Sequence, residues 1–179
     1  MDTPTPLVLI DLSSIAHPIY HMSAAAPDPN HTSQAIIARV HALAAGCERV
    51  AACCDSGRSF RRDLDPTYKA NRPERDEVLH HQIRLAVDAL KADGFPVWSA
   101  PSFEADDLIA SAALALTGPV VIVTADKDLL QLVDDRVTVK STRDGSLVDA
   151  DAVKAKFGVL PSQMTDYLCL VGDASDNIR

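Results

Sequence analysis

Apolar residues fall into two rhythms along the chain. Four short runs rich in β-branched residues, Leu7 to Ile10, Val50 to Cys54, Pro96 to Trp98 and Val120 to Thr124, read as strands. Between them apolar positions recur at three- and four-residue intervals, which predicts helices. One covers Ser33 to Ala45. A second covers Glu77 to Asp93, with Leu79, Ile83, Val87 and Leu90 on one stripe ahead of Gly94 at a C′ position. A third runs from about Ser102 to Leu116 and stops at Gly118-Pro119. Past the fourth strand the pattern predicts a helical turn over Leu129 to Val133, a hairpin around Asp144-Gly145, and small helices over Asp151 to Phe157 and Ser162 to Leu170. This alternation predicts an α/β fold, a mostly parallel twisted sheet flanked by helices. No internal repeat, low-complexity tract or interdomain linker interrupts it.

Length and composition narrow the class. With 179 residues, 47% of them hydrophobic, the chain is the size of one domain with a substantial core, so 1–179 is read as a single unit. No run of about 18 apolar residues occurs, and the first six residues hold an acid and two prolines where a secretory signal needs positive charge and an apolar stretch. A soluble, cytoplasmic protein without a membrane partner is expected. Cys47, Cys53, Cys54 and Cys169 have no C-x-x-C spacing, and the adjacent pair lies in an apolar run, which argues against structural zinc and a disulfide framework.

The strand ends change the picture. Leu-Val-Leu-Ile is followed by Asp11, the second run by Asp55, and the fourth by Ala125 and Asp126. Ligands of open α/β sheets bind beyond the carboxyl ends of the strands, so parallel strands would gather these acids around one crevice. The third strand leads to Glu104, Asp106 and Asp107 at a helix start. Asp128 follows Asp126, and Asp173 and Asp176 add a spaced pair near the C-terminus. Two readings stand for each. Acids in a first helical turn answer the helix dipole, and strand-end aspartates form turns or caps. Alternatively, the nine carboxylates share a site. Two carboxylates ~5 Å apart repel by about 3 kcal/mol at an effective dielectric near 20, so such a site would need cations. All-oxygen ligands select hard ions, Mg²⁺ or Mn²⁺, and two such ions suit phosphodiester hydrolysis.

A net charge of −8 argues against a nucleic-acid partner until the nine acids are set aside. Sixteen acids then face seventeen lysines and arginines. Six of these cations, Arg58, Arg61, Arg62, Lys69, Arg72 and Arg75, lie in one segment, 56–76, that leaves the sheet beside Asp55. Tyr68 next to Lys69 offers an aromatic face beside a phosphate contact. The segment is either a cover over the acidic crevice or a solvated loop, since Asp63, Asp65, Glu74, Asp76 and Glu77 are interleaved.

In order along the chain, Leu9-Ile10-Asp11 with Ser13-Ser14, Tyr20-His21, Asp55 with Phe60-Arg61, Tyr68-Lys69-Ala70-Asn71-Arg72, Glu104-Ala105-Asp106-Asp107, Thr124-Ala125-Asp126-Lys127-Asp128 with Gln131-Leu132, and Gly172-Asp173 to Ser175-Asp176-Asn177 form a specific set. The set resembles the bacterial and phage 5′-3′ exonuclease and flap endonuclease family, including the N-terminal nuclease domain of DNA polymerase I. That resemblance implies a PIN-like 5′-nuclease core. It implies that Asp11, Asp55, Glu104, Asp106, Asp107, Asp126, Asp128, Asp173 and Asp176 are metal ligands or partners of them. It places Tyr68, Lys69, Arg72, Arg61 and Arg62 in a DNA-binding arch. The implied partners are DNA with a 5′ single-stranded end or flap and a DNA polymerase.

Departures accompany the likeness. Leu12 stands where that family usually has glycine, and Pro18 where it usually has arginine. The family continues past Asp-Asn into a helix-hairpin-helix that grips duplex DNA, whereas this sequence stops at Arg179, so chemistry without its duplex anchor is expected. The rival readings are a PIN-type ribonuclease and a non-catalytic DNA-binding relative. His17 and His21 have metal spacing, but Pro18 between them argues against a regular helix. His80-His81 is expected to face solvent, and Trp98 to lie in the core.

Overall fold

The computed structural model describes residues 4–22, 30–70 and 76–172; Arg72, Asp173 and Asp176 lie outside these residues. Its framework is a six-stranded sheet with the order β3-β2-β1-β4-β5-β6. The strands are β1 (Leu7–Asp11), β2 (Arg49–Cys53), β3 (Val97–Trp98), β4 (Val120–Thr124), β5 (Val137–Ser141) and β6 (Leu147–Val148). All neighbours run parallel except β5 and β6, which form the hairpin expected around Asp144-Gly145. Gly145 takes the left-handed φ of 75° that this turn demands.

Strand β1 alternates between two cores, as a strand buried on both faces must. Leu7 and Leu9 pack with α5 (Ala105–Ala115), α6 (Ala150–Phe157) and α7 (Met164–Val171), through Ile109, Val153 and Met164. Val8 and Ile10 pack on the other face with α1 (Leu12–Met22), α2 (His31–Ala44) and α4 (Glu77–Ala92), through Ile15, Ile36 and Leu90. A short helix, α3 (Arg61–Leu64), and a 3₁₀ turn over Asp128–Leu132 complete the elements used below. The chain leaves β1 for β2 and β3 on one side, then returns through α5 to β4 on the other side of β1. The carboxyl ends of β1 and β4 are therefore the switch point at which an open α/β sheet forms its crevice.

Three expectations needed revision. Helix α1 forms in spite of Pro18, because Asp11 caps its first turn and Leu12, Ile15 and Ala16 bury one stripe, while Pro18 sits on the exposed side. Helix α5 begins at Ala105, three residues later than its periodicity suggested, since Ser102 adopts a left-handed φ of 68° that breaks the helix there. Trp98 is 38% exposed, because β3 pairs with only one neighbour and stands at the sheet edge. His81 is exposed as expected, and His80 is half-buried. No helix among the described residues is long and apolar enough to cross a membrane.

Candidate functional site

Asp11 is the last residue of β1 and is almost wholly buried, which a lone carboxylate tolerates only with good partners. One oxygen accepts the backbone N–H groups of Ser13 and Ser14, at 3.1 and 3.2 Å, and so caps α1. The other accepts the Ser14 hydroxyl at 2.6 Å and the Thr124 hydroxyl at 2.8 Å. Thr124 in turn accepts the Asp126 N–H at 2.9 Å, and Ser14 Oγ accepts the Ala125 N–H at 3.1 Å. The ends of β1 and β4 are thus tied into one network. Burial pushes the Asp11 carboxyl above its ordinary range against the pull of these hydrogen bonds, and the charge of Asp55 adds to the rise. Thr124→Val keeps the shape and strands these polar partners, so it is expected to cost about 1–3 kcal/mol. Denaturant unfolding would measure it, and an unchanged midpoint would show that the network contributes nothing.

The N-terminus of α5 supplies the second group. Asp55, just beyond β2, accepts the Ala105 N–H at 2.8 Å and the Ser13 hydroxyl at 3.2 Å, so it joins α5 to α1. Asp106 lies among Asp11, Asp126 and Asp55. Burial and then those three charges push it up to about 8, against a smaller opposing pull from Lys69, which is the electrostatic signature of crowded carboxylates. Asp107 is one residue, about 100°, further round the helix, and its surroundings differ. Its carboxylate accepts the Glu104 N–H at 2.9 Å and both Arg61 nitrogens, at 2.8 and 2.6 Å. The Arg61 hydrogen bond holds Asp107 below the ordinary carboxylate range. Glu104 accepts the Tyr68 hydroxyl at 2.9 Å and Lys69 Nζ at 3.2 and 3.3 Å. Over residues 56–70 the basic segment is therefore packed against the sheet edge and is not a free solvated loop. Arg61, Tyr68 and Lys69 fasten it onto the start of α5, and the Phe60 and Phe103 rings meet at a tilt of 54° with their centres 5.5 Å apart. Lys69 reaches its position through a left-handed φ of 53°, which a β-carbon disfavours.

These elements enclose a crevice of about 630 Å³. Of the sequence-predicted acids, Asp11, Asp55, Glu104, Asp106, Asp126 and Asp128 line it, and Asp107 does not. Asp128 is positioned by its N–H, which donates to Asp126 at 2.9 Å. Of the predicted basic residues Lys69 lines the crevice, Arg61 reaches it only through Glu104, and Arg62 points to solvent. Sequence reasoning missed the roles of Ser14 and Thr124 and the presence of Arg143 and Lys156 in the lining. Hydroxyls become identifiable only once β1 and β4 are paired. Arg143 and Lys156 carried no signal beyond ordinary surface charge.

Among the described residues, no three Asp, Glu, His or Cys side chains converge into a ready-made metal cage. The crevice donors are nonetheless mainly crowded carboxylates, with His17 the one imidazole in the lining, which fits a hard divalent ion that keeps much of its water and takes few direct protein ligands.

Residues 6–158 match the sequence profile of the family described as 5′-3′ exonuclease, N-terminal resolvase-like domain. The chain belongs to that family. Its relatives include DNA polymerase I of Pseudomonas aeruginosa, 44% identical over 125 residues that make up 68% of this chain and 14% of the polymerase. A 5′-3′ exonuclease of Buchnera aphidicola from Acyrthosiphon pisum is 33% identical over 126 residues, 69% of this chain and 44% of the relative. Family membership extends to the fold. A bacteriophage T5 flap endonuclease, crystallised with DNA and metal ions, superposes with a TM-score of 0.80 at 23% identity, covering 97% of this chain and 69% of that one. The catalytic core of Rad2 in complex with DNA does so with a TM-score of 0.60 at 18% identity, covering 96% and 55%. Within this 5′-3′ exonuclease domain, the profile spans every described crevice acid from Asp11 to Asp128.

Proposed function

We propose that the chain is a metal-dependent 5′-nuclease domain that hydrolyses DNA phosphodiester bonds near 5′ ends or at 5′ flaps. The observation that carries this reading is the convergence of six acids, from three strand ends and one helix start, on a single crevice where Asp106 is driven up to about 8. Asp11, Asp55, Glu104, Asp106, Asp126 and Asp128 would hold two Mg²⁺ or Mn²⁺ ions, directly or through water. Asp173 and Asp176 belong to the same proposed set. The ions would supply an activated water and stabilise the leaving oxygen.

The chain's own groups orient the strand. Asp11 fixes the ends of β1 and β4, Asp55 fixes α5 against α1, and Asp107 holds Arg61 so that the basic segment stays over the crevice. Lys69, at the crevice wall, is placed to meet a phosphate once a strand displaces it from Glu104. DNA is the proposed partner, with a DNA polymerase as a second.

Cleavage of a 5′-flap DNA with Mg²⁺, with Mn²⁺ and with EDTA, alongside single-stranded RNA, tests the reading. Metal-dependent DNA cutting supports it; cutting of RNA alone, or DNA binding that never leads to cutting, overturns it. Lys69→Ala, alone and with Arg72→Ala, is expected to raise KM on the flap and to lower the log–log salt slope of binding by about 0.7–0.9 per lost contact. Unchanged KM and slope in the double variant would remove the basic segment from the substrate path.

A further inference from the structure

Arg143 and Lys156 line the crevice, yet neither the acids nor the segment around Lys69 accounts for them. Arg143 lies in the turn between β5 and β6, which is tightened by Gly145 N–H donating to the Ser141 carbonyl at 3.0 Å and by Ser146 N–H donating to the Asp144 carboxylate at 3.1 Å. Lys156 lies in the last turn of α6. Its Nζ sits 5.3 Å from the centre of the Phe157 ring, and that ring packs edge-on to Tyr167 at 5.7 Å. The ammonium group is thereby held over an aromatic face. Neither cation forms an ion pair with a described residue, whereas Arg61 and Lys69 across the crevice do.

Strand order gives the placement a direction. The segment bearing Lys69 leaves from β2, on one side of β1, while Arg143 and Lys156 come from beyond β4 on the other. The carboxylates lie between these two basic flanks. A polynucleotide carries one negative charge per nucleotide, so a strand with one phosphate at the carboxylates must send its neighbouring phosphates toward the flanks. On the first flank Lys69 is held by Glu104, so cations without a crevice acid as partner come from the second.

Resting on the nuclease reading above, we infer that Arg143 and Lys156 form a phosphate-binding subsite for the polynucleotide strand, on the side of the reacting phosphodiester away from Lys69. The subsite reads backbone charge and carries no base preference.

The test is binding of a fluorescent 5′-flap DNA to the full chain across a KCl series, with Ca²⁺ in place of Mg²⁺, together with steady-state cleavage in Mg²⁺. Arg143→Gln with Lys156→Gln is expected to lower the log–log salt slope by about 1.4–1.8, two contacts' worth, and to raise KM with little change in kcat. Arg143→Lys and Lys156→Arg, which keep the charges, should restore the slope. Lys154→Gln serves as the control. Lys154 is exposed on the same helix and, two residues or about 200° away, does not line the crevice, so its loss should leave slope and KM unchanged. Both target residues are exposed, so thermal midpoints should match wild type. A wild-type chain that cuts the flap, with a double variant of unchanged slope and KM, overturns the subsite and leaves the nuclease reading standing. So does a Lys154→Gln effect as large as that of Lys156→Gln, which would mean bulk charge alone. A wild-type chain that neither binds nor cuts DNA overturns both.

Discussion

Asp126→Asn is expected to cut DNA hydrolysis by about 10²–10³-fold or more while leaving the fold intact. Asp126 follows β4, is half-buried, and faces the crevice together with Asp11, Asp55 and Asp106. Its local structural duties survive the change. The backbone N–H still donates to Thr124, and an amide oxygen can still accept the Asp128 N–H now bonded at 2.9 Å. What disappears is one negative charge in a group that already repels itself, so the metal-free variant should be as stable as wild type or more so. The matching measurement is kcat on a 5′-flap DNA beside a thermal melt in EDTA. Loss of activity accompanied by a large loss of metal-free stability would mean that Asp126 holds the fold, and the site assignment would fail.

Metal-free stability should fall as pH rises from about 4 to about 8, and Asp106→Asn should abolish most of that fall. In the folded chain Asp106 is driven from 3.8 to about 8, first by burial and then by Asp11, Asp126 and Asp55. Between those two values the folded state keeps the proton and the unfolded state has lost it. Fewer protons bound by the unfolded state means that stability declines with rising pH. The contribution is present in full below the unfolded value and is gone above the folded one, a swing on the order of a few kcal/mol. Asp107 has the opposite sign, since its carboxylate is held low by Arg61 and its stabilisation is lost only as pH falls through the acid range. The two contributions therefore occupy different windows and can be separated. Denaturant unfolding in EDTA at several pH values would show the slope, and the Asp106→Asn variant should flatten it. Mg²⁺ at pH 8 should restore stability to wild type and do less for the variant. A wild-type profile that is flat from pH 5 to 8 would refute the crowding of carboxylates as an energetic fact.

The fold and much of the acidic lining of the candidate site were legible in the chain. Apolar runs such as Val120 to Thr124 and helical stripes such as Leu79, Ile83, Val87 and Leu90 report local geometry directly, because period and burial are properties of a few adjacent residues. Strand ends are also local, so Asp11, Asp55 and Asp126 could be assigned to one edge from the apolar runs that precede them. The signal weakened where a residue's role depends on a partner far away in sequence. Pro18 argued against α1, yet the capping of Ser13 and Ser14 by Asp11 and the buried stripe of Leu12, Ile15 and Ala16 outweigh its missing N–H.

Spacing placed Glu104, Asp106 and Asp107 together as one acidic cluster. Only the packed structure distinguishes them: Asp106 crowds against other carboxylates, Asp107 is claimed by Arg61 from 46 residues away, and Glu104 is held by Tyr68 and Lys69. The same holds for Thr124, whose hydroxyl meets Asp11 across 113 residues, and for Arg143 and Lys156, which reach the crevice from the far side of β4. By itself the sequence determined most of the elements, α1 and the start of α5 excepted, and which end of the sheet is acidic, since hydrophobic period and chain direction are encoded locally. The tertiary structure decided which acids share a field and which are neutralised by a partner, because electrostatic energy depends on distance in space and is indifferent to distance along the chain.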